Sequence, residues 1–189
     1  MERAQKKYEE YAYILDDLPR GKPGAARSAF QGKPLLQLLG ETYYTLLEAV
    51  PREGMTFEMN ERIYVGKKGR TKVEHVLGRI TYYELTSTAK AELQPVIEII
   101  VRGEVNRFID FFNTSQSVTP RMHSLELIPG IGKRLMWQII DQRERVPFDS
   151  YEDLQTRTSI SDPVRLLAKR ILKELSKDEK YYLFTRPML

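Results

Sequence analysis

Cysteine is absent from the 189-residue chain. That removes disulfides, thiolate nucleophiles, cysteine-ligated zinc and iron–sulfur clusters from consideration. Histidine is nearly absent as well: the two present are His75 and His123, too few for a His-based metal site or a ready Ser-His-Asp triad. No apolar run approaches the roughly 20 residues that cross a bilayer. The opening residues, Met-Glu-Arg-Ala-Gln-Lys-Lys-Tyr-Glu-Glu, lack the apolar core of a secretory signal. The expectation is a cytoplasmic protein with no membrane partner. Neither sign of charge dominates: 30 Lys+Arg against 26 Asp+Glu leave +4. Residues 121–189 carry 13 basic and 10 acidic side chains, against 17 and 16 in residues 1–120. That mild asymmetry leans the C-terminal part toward an anionic partner.

What is there divides by pattern. Residues 1–85 read as short strands separated by turns. Tyr11, Tyr13 and Leu15 alternate with Ala12 and Ile14, and residues 16–24, with two Pro and two Gly, read as a loop. A β-rich run spans residues 42–50, a hairpin turns at Asn60-Glu61, and a longer strand covers residues 73–83. Strands of this length and spacing predict a small OB-like or S1-like barrel. Residues 86–118 switch to helical period as a spacer: Leu93, Val96, Ile97, Ile100 and Val101 share one face, and Val105, Phe108, Ile109 and Phe112 another. Pro95 places the start of the first helix, or a bend, near itself. The polar run 113–119 reads as a linker.

Residues 119–178 read as helices joined by tight turns, followed by an apolar tail over residues 179–189. Thr119-Pro120 predicts an N-cap with Pro at the first helical position, and Met122, Leu125 and Ile128 a short helix. Residues 133–145 form a second helix. Ser150 caps a third and Asp162-Pro163 opens a fourth. The fold expected is α+β in two domains, a β-barrel with a helical spacer and an all-α domain.

One motif stands apart. Leu127-Ile128-Pro129-Gly130-Ile131-Gly132-Lys133-Arg134-Leu135 resembles the helix-hairpin-helix signature, apolar-Pro-Gly-apolar-Gly-basic. Pro129, Gly130 and Gly132 permit a tight hairpin whose backbone approaches a ligand without Cβ obstruction, and Ile131 pins it to the core. The helix after Gly132 presents free N–H groups and the positive end of its dipole, a place for phosphate. Lys133 and Arg134 add charge. A second helix pair follows, so the region resembles a tandem of two hairpins. The second turn, Thr158-Ser159-Ile160-Ser161-Asp162-Pro163, has neither glycine and carries a repelling carboxylate, which leaves one intact hairpin.

Further cations fall in two places. Lys67, Lys68, Arg70 and Lys72 lie in one loop, where flexible cations suit phosphate contact. Arg165, Lys169, Lys173 and Lys177 recur every four residues on the last helix, with Arg170 beside them. The bland reading of that row, a solvated helix face, is the better supported of the two. Tyr43, Tyr44, Tyr64, Tyr82 and Tyr83 lie in or beside the strands, where OB-type barrels stack bases, although core packing explains most such side chains. Trp137 falls off its helix's apolar arc and is expected to pack against another element, such as the tail at Tyr181-Tyr182-Leu183-Phe184.

Over its whole length the chain resembles an archaeal protein family of unknown function associated with nucleotide binding, with residues 127–135 and 148–154 carrying the likeness. The resemblance implies nucleic-acid binding, of DNA or RNA, and similar hairpins imply a monovalent cation as the one cofactor; the leading reading of the residues is a non-catalytic, largely sequence-independent binder of phosphate backbones, with ribosome or repair-complex association. The rival readings are a repair-type enzyme, glycosylase or nuclease, and a protein–protein adaptor. Against the enzyme, the position where lyase-type hairpin glycosylases carry lysine holds Arg134, and Asp149 reads as part of a connector.

Overall fold

The structure is a computed structural model, and it describes residues 8–22 and 32–186. Pro23 and Gly24 of the expected loop, the first seven residues and the last three of the tail lie outside the described residues. Two compact units emerge: residues 1–96 with 184–189, and residues 97–183.

The first unit is a curled five-stranded antiparallel half-barrel, built from β1 (Tyr11–Leu18), β2 (Leu35–Gly40), β3 (Leu46–Pro51), β4 (Arg62–Tyr64) and β5 (Val73–Arg79) in the order β4-β1-β2-β3-β5. Every neighbouring pair is antiparallel, so β4 and β5 run in the same direction along the two open edges. Ala12, Ile14, Leu36, Leu38, Leu47 and Ala49 build the core inside the curl.

One strand that the sequence pattern did not mark appears here, and two expectations change. Leu35-Leu36-Gln37-Leu38-Leu39-Gly40 is a strand with all six residues buried, so it shows none of the alternation that marks a strand with one wet face. Its buried Gln37 is satisfied by the Glu48 carboxylate, the Glu84 carbonyl and the Thr86 N–H. The run at residues 42–50 is not one strand. Thr42 and Tyr43 turn the chain between β2 and β3, Tyr44 sits at φ +55, and the strand proper begins at Leu46. Glu9 holds that turn: its carboxylate accepts hydrogen bonds from the N–H groups of Thr42, Tyr43 and Thr45. The strand expected over residues 73–83 ends at Arg79, and Tyr82–Glu84 form a 3-10 turn.

The helix α1 (Ser87–Gly103) starts well before Pro95. Thr86 caps it by accepting from the Ala89 N–H. Pro95 costs the helix its bond to the Ala91 carbonyl, but both residues lie on the exposed face, so that carbonyl is not buried without a partner. The boundary between the two units falls within α1.

The second unit holds α2 (Val105–Thr114), a two-stranded ribbon of β6 (Ser117–Thr119) and β7 (Met122–His123), a 3-10 turn (Ser124–Leu127), α3 (Lys133–Arg145), α4 (Tyr151–Arg157) and α5 (Pro163–Ser176). Thr119-Pro120 therefore turns a ribbon rather than starting a helix, and the short helix expected around Leu125 is a four-residue 3-10 turn. The polar run at residues 113–119 is polar for structural reasons. Asn113 exchanges two 2.8 Å hydrogen bonds with the Phe148 backbone. Arg143 donates to the Phe112 carbonyl and to the Ser115 hydroxyl and carbonyl. The second half of the region agrees closely with its sequence signals: Ser150 caps α4 by accepting from Asp153 N–H, and Asp162 caps α5 by accepting from Arg165 N–H.

Among the described residues no helix is long and apolar enough to cross a membrane.

Candidate functional site

The turn between the 3-10 segment and α3 is a β-turn closed by Ile131 N–H donating to the Ile128 carbonyl at 3.0 Å. Pro129 and Gly130 are its central residues. Gly130 takes φ +95, a conformation that favours glycine, and a Cβ there would stand 3.1 Å from the end of the Leu166 side chain of α5. Ile131 is buried and anchors the turn from below.

Gly132 is the N-cap of α3 and has no side chain to cap it. Among the described residues a Cβ at Gly132 would meet nothing within 4 Å, so the approach to the helix start is open. The first-turn N–H groups of α3 have no intrahelical acceptors and point out of that open end. Lys133 and Arg134 are exposed beside it. The two helices that follow, α4 and α5, differ: Ser150 and Asp162 fill the corresponding places with side-chain acceptors, whereas α2, one residue after the end of α1, has no side-chain cap either. The turn before α5 thus ends on a carboxylate that already occupies the anion position.

Trp137 differs from expectation. It is 59% exposed rather than packed against a neighbouring element. Lying four residues after Lys133 and three after Arg134, it shares their face of α3. That spacing was the available signal for adding it to the site.

The support of this turn comes from a residue misjudged in the sequence. Arg170 is not part of a surface row but 1% exposed. Its guanidinium pairs with Glu174 at 2.8 Å and with Glu179 at 3.3 Å, and it donates to the carbonyls of Leu127, at 3.2 Å, and of Tyr181. The bond to Leu127 fixes the chain just before Ile128 and Pro129. Glu174 in turn accepts from the Leu183 N–H at 2.8 Å. Of the cations expected in the row, Arg165, Lys169 and Lys177 are exposed, whereas Lys173 is half-buried and paired with Glu179 at 3.2 Å.

His123 sits just upstream, its ring Nδ1 accepting from the Leu125 N–H at 3.1 Å. Burial, reinforced by the Arg143 charge, pushes its pKa below the usual histidine value.

In the first unit the basic loop divides. Arg70 donates its Nε to the carbonyls of Val65 and Gly66, at 3.1 and 2.5 Å, and so closes its own loop. Lys72 pairs with Glu61. Lys67 and Lys68 are exposed, and Lys67 lies 4.0 Å from the centre of the Tyr8 ring. Of the strand-region tyrosines, Tyr44 is buried and Tyr83 is 78% exposed.

Residues 8–186 match a family described as a protein of unknown function, DUF655. The chain belongs to the DUF655 family. Its relatives include an uncharacterized protein of Methanocaldococcus jannaschii, MJ0038, 44% identical over 183 residues that cover 96% of this chain and 82% of that one. The crystal structure of the DUF655 protein Af1531 from Archaeoglobus fulgidus superposes with a TM-score of 0.85 at 43% identity, covering 94% of this chain and all of that one. Both relatives are archaeal, which places this DUF655 chain in an archaeal family of unknown function and corroborates the mixed α+β architecture.

Proposed function

We propose that this DUF655 protein is a non-catalytic, largely sequence-independent nucleic-acid-binding protein. In this reading the Pro129–Gly132 turn and α3 act as a helix-hairpin-helix phosphate site. The observation that carries it is the start of α3, uncapped by a side chain, unobstructed after Gly132 and beside the exposed cations Lys133 and Arg134, where the two helices that follow, α4 and α5, are capped by side chains. Backbone amides and a helix dipole bind a phosphate without reading a base, so affinity is expected to vary little with sequence. Lys133 and Arg134 add charge, and the exposed ring of Trp137 on the same face offers a plane for a base or sugar. Lys169, exposed on α5, extends the basic surface of the same unit.

The half-barrel serves as an OB-like second contact in this reading. Its five short strands suit the small barrels that hold single strands, and Lys67 and Lys68 supply exposed cations at its rim.

The test is fluorescence anisotropy of labelled duplex DNA, single-stranded DNA and RNA with wild type and Gly132→Val. Gly132 has the extended conformation of φ −86 and ψ 175, which valine adopts readily, and there is room for its side chain. The expected result is about a tenfold loss of affinity, near 1.4 kcal/mol, in a variant that remains folded. Equal affinity of the folded variant for all three nucleic acids would remove the hairpin from the mechanism.

A further inference from the structure

The concave side of the half-barrel holds a pocket of about 520 Å³ near its open edges. Leu47 of β3, Val65 and Val76 give it an apolar floor. Lys67, Arg70 and Arg79 surround it with positive charge, and Tyr8 contributes a ring. That volume accommodates one small ligand.

The way Arg79 reaches this pocket is informative. Along a regular strand Val76 and Arg79, three residues apart, would face opposite sides of the sheet. Here Val76 stands opposite Ala49 and Arg79 opposite Leu47, and both partners belong to the apolar core inside the curl. The register shifts between them, so β5 carries an extra residue, and Gly78 in that bulge takes φ +149, a conformation open to glycine alone. The bulge places Arg79 on the pocket's side of the sheet, the usual effect of such an irregularity, with its side chain exposed at the rim. Arg79 is exposed, so its guanidinium borders the mouth of the pocket, open to an anion from solution.

The remaining charges supply no such anion. Among the described residues none of Lys67, Arg70 and Arg79 forms an ion pair. Arg70 is held in place by the Val65 and Gly66 carbonyls through its Nε. Among the described residues Glu9 is the one carboxylate of the lining, and backbone N–H groups of Thr42, Tyr43 and Thr45 already occupy its oxygens.

We propose that this pocket is a binding site for a small organic phosphate monoester, held by Arg79, Arg70 and Lys67, with its apolar body on Leu47, Val65 and Val76. Three cations against one committed carboxylate favour a dianion over a monoanion. Two guanidiniums suit the paired acceptors of a phosphate. The site uses residues of the first unit only and does not depend on the hairpin.

Isothermal titration calorimetry with phenyl phosphate as the probe tests it, using the full-length protein, Arg79→Gln, Lys67→Gln and the hairpin variant Gly132→Val. Phenyl phosphate is expected to bind saturably with one site per chain. Arg79→Gln and Lys67→Gln, both at exposed positions, should each weaken it about tenfold with unchanged thermal stability. Gly132→Val should bind it as wild type does, which separates this site from the hairpin. Inorganic phosphate, benzoate and phenol are each expected to bind at least tenfold more weakly, because each lacks the body, the second charge or the anion. Absence of saturable heat at millimolar phenyl phosphate would overturn the proposal. So would benzoate or phenol binding as tightly as phenyl phosphate, or Arg79→Gln and Lys67→Gln binding it as wild type does.

Discussion

Replacing Gly132 with aspartate should strengthen the fold and weaken nucleic-acid binding, two effects that ordinary damage would not combine. The backbone there, φ −86 and ψ 175, is that of an N-cap, and a new Cβ would meet no atom within 4 Å. The chain already contains the product of this change: Asp162 at the start of α5 accepts from the Arg165 N–H at 3.0 Å. Exchanging glycine for a capping side chain is worth a few tenths of a kcal/mol. A carboxylate on the positive end of the dipole adds about 0.3–1 kcal/mol, and lowering the freedom of the unfolded chain about 0.4–1 kcal/mol. Together these give a gain of about 1–2 kcal/mol. For a chain of this size that raises Tm by about 2–4 °C per kcal/mol. The same carboxylate would stand where a phosphate is expected. Two like charges about 4 Å apart repel by roughly 4 kcal/mol at an effective dielectric of 20, less where water and salt screen them, so affinity should fall at least tenfold. Differential scanning calorimetry and anisotropy on the same preparation read both effects. A rise in Tm with unchanged affinity would refute the phosphate site, and a fall in Tm would refute the capping argument.

Arg170→Met removes one partner of a buried pair and strands Glu174, so it should cost about 3–5 kcal/mol in urea unfolding; adding Glu174→Leu should recover part of that, and no recovery would count against a stranded charge as the cause. His123 has a depressed pKa when folded, so its contribution is complete above the unfolded value of 6.5 and is lost as pH falls through the lower folded value. Denaturation midpoints should therefore decline below neutral pH, and His123→Asn, which keeps an acceptor for the Leu125 N–H, should flatten that decline. Changing Lys67 and Lys68 together to serine should reduce the slope of log affinity against log salt by about 1–2 if both meet phosphates, with little change in stability, whereas Lys72→Ser, which breaks a pair with Glu61, should not alter the slope.

Legibility in the sequence followed how local the determining interaction was. The bounds of α3 and the caps Ser150 and Asp162 were readable because a cap acts within three residues. Thr119-Pro120 carried the same local signal and misled, because the pairing of Ser117 with His123 and Thr119 with Met122 outweighed it. β2 left no periodic trace because both of its faces are covered. The β-rich letters of Thr42, Tyr43 and Tyr44 hid a turn whose conformation depends on Glu9, more than 30 residues earlier. Arg170 looked like one more surface cation. Its displacement by one residue from the Lys169 row turns it about 100° inward on the helix, and Glu174 four residues on was the local sign of a pair. The place of Arg79 at the pocket rim rests on a bulge at Leu77 and Gly78, and only the pairing of β5 with β3 defines a bulge.

The amide spectrum of 15N-labelled protein, titrated with a short single-stranded DNA, a duplex and an RNA, addresses the hairpin claim without any substitution. The account predicts that the N–H signals of Gly130, Gly132, Lys133, Arg134 and Leu135, with the indole N–H of Trp137, move first and furthest as at least one of these is added. Their shifts should also collapse together as salt is raised. Saturation with all three nucleic acids that leaves these signals in place, or moves only residues of other helices, would contradict the phosphate site at the start of α3.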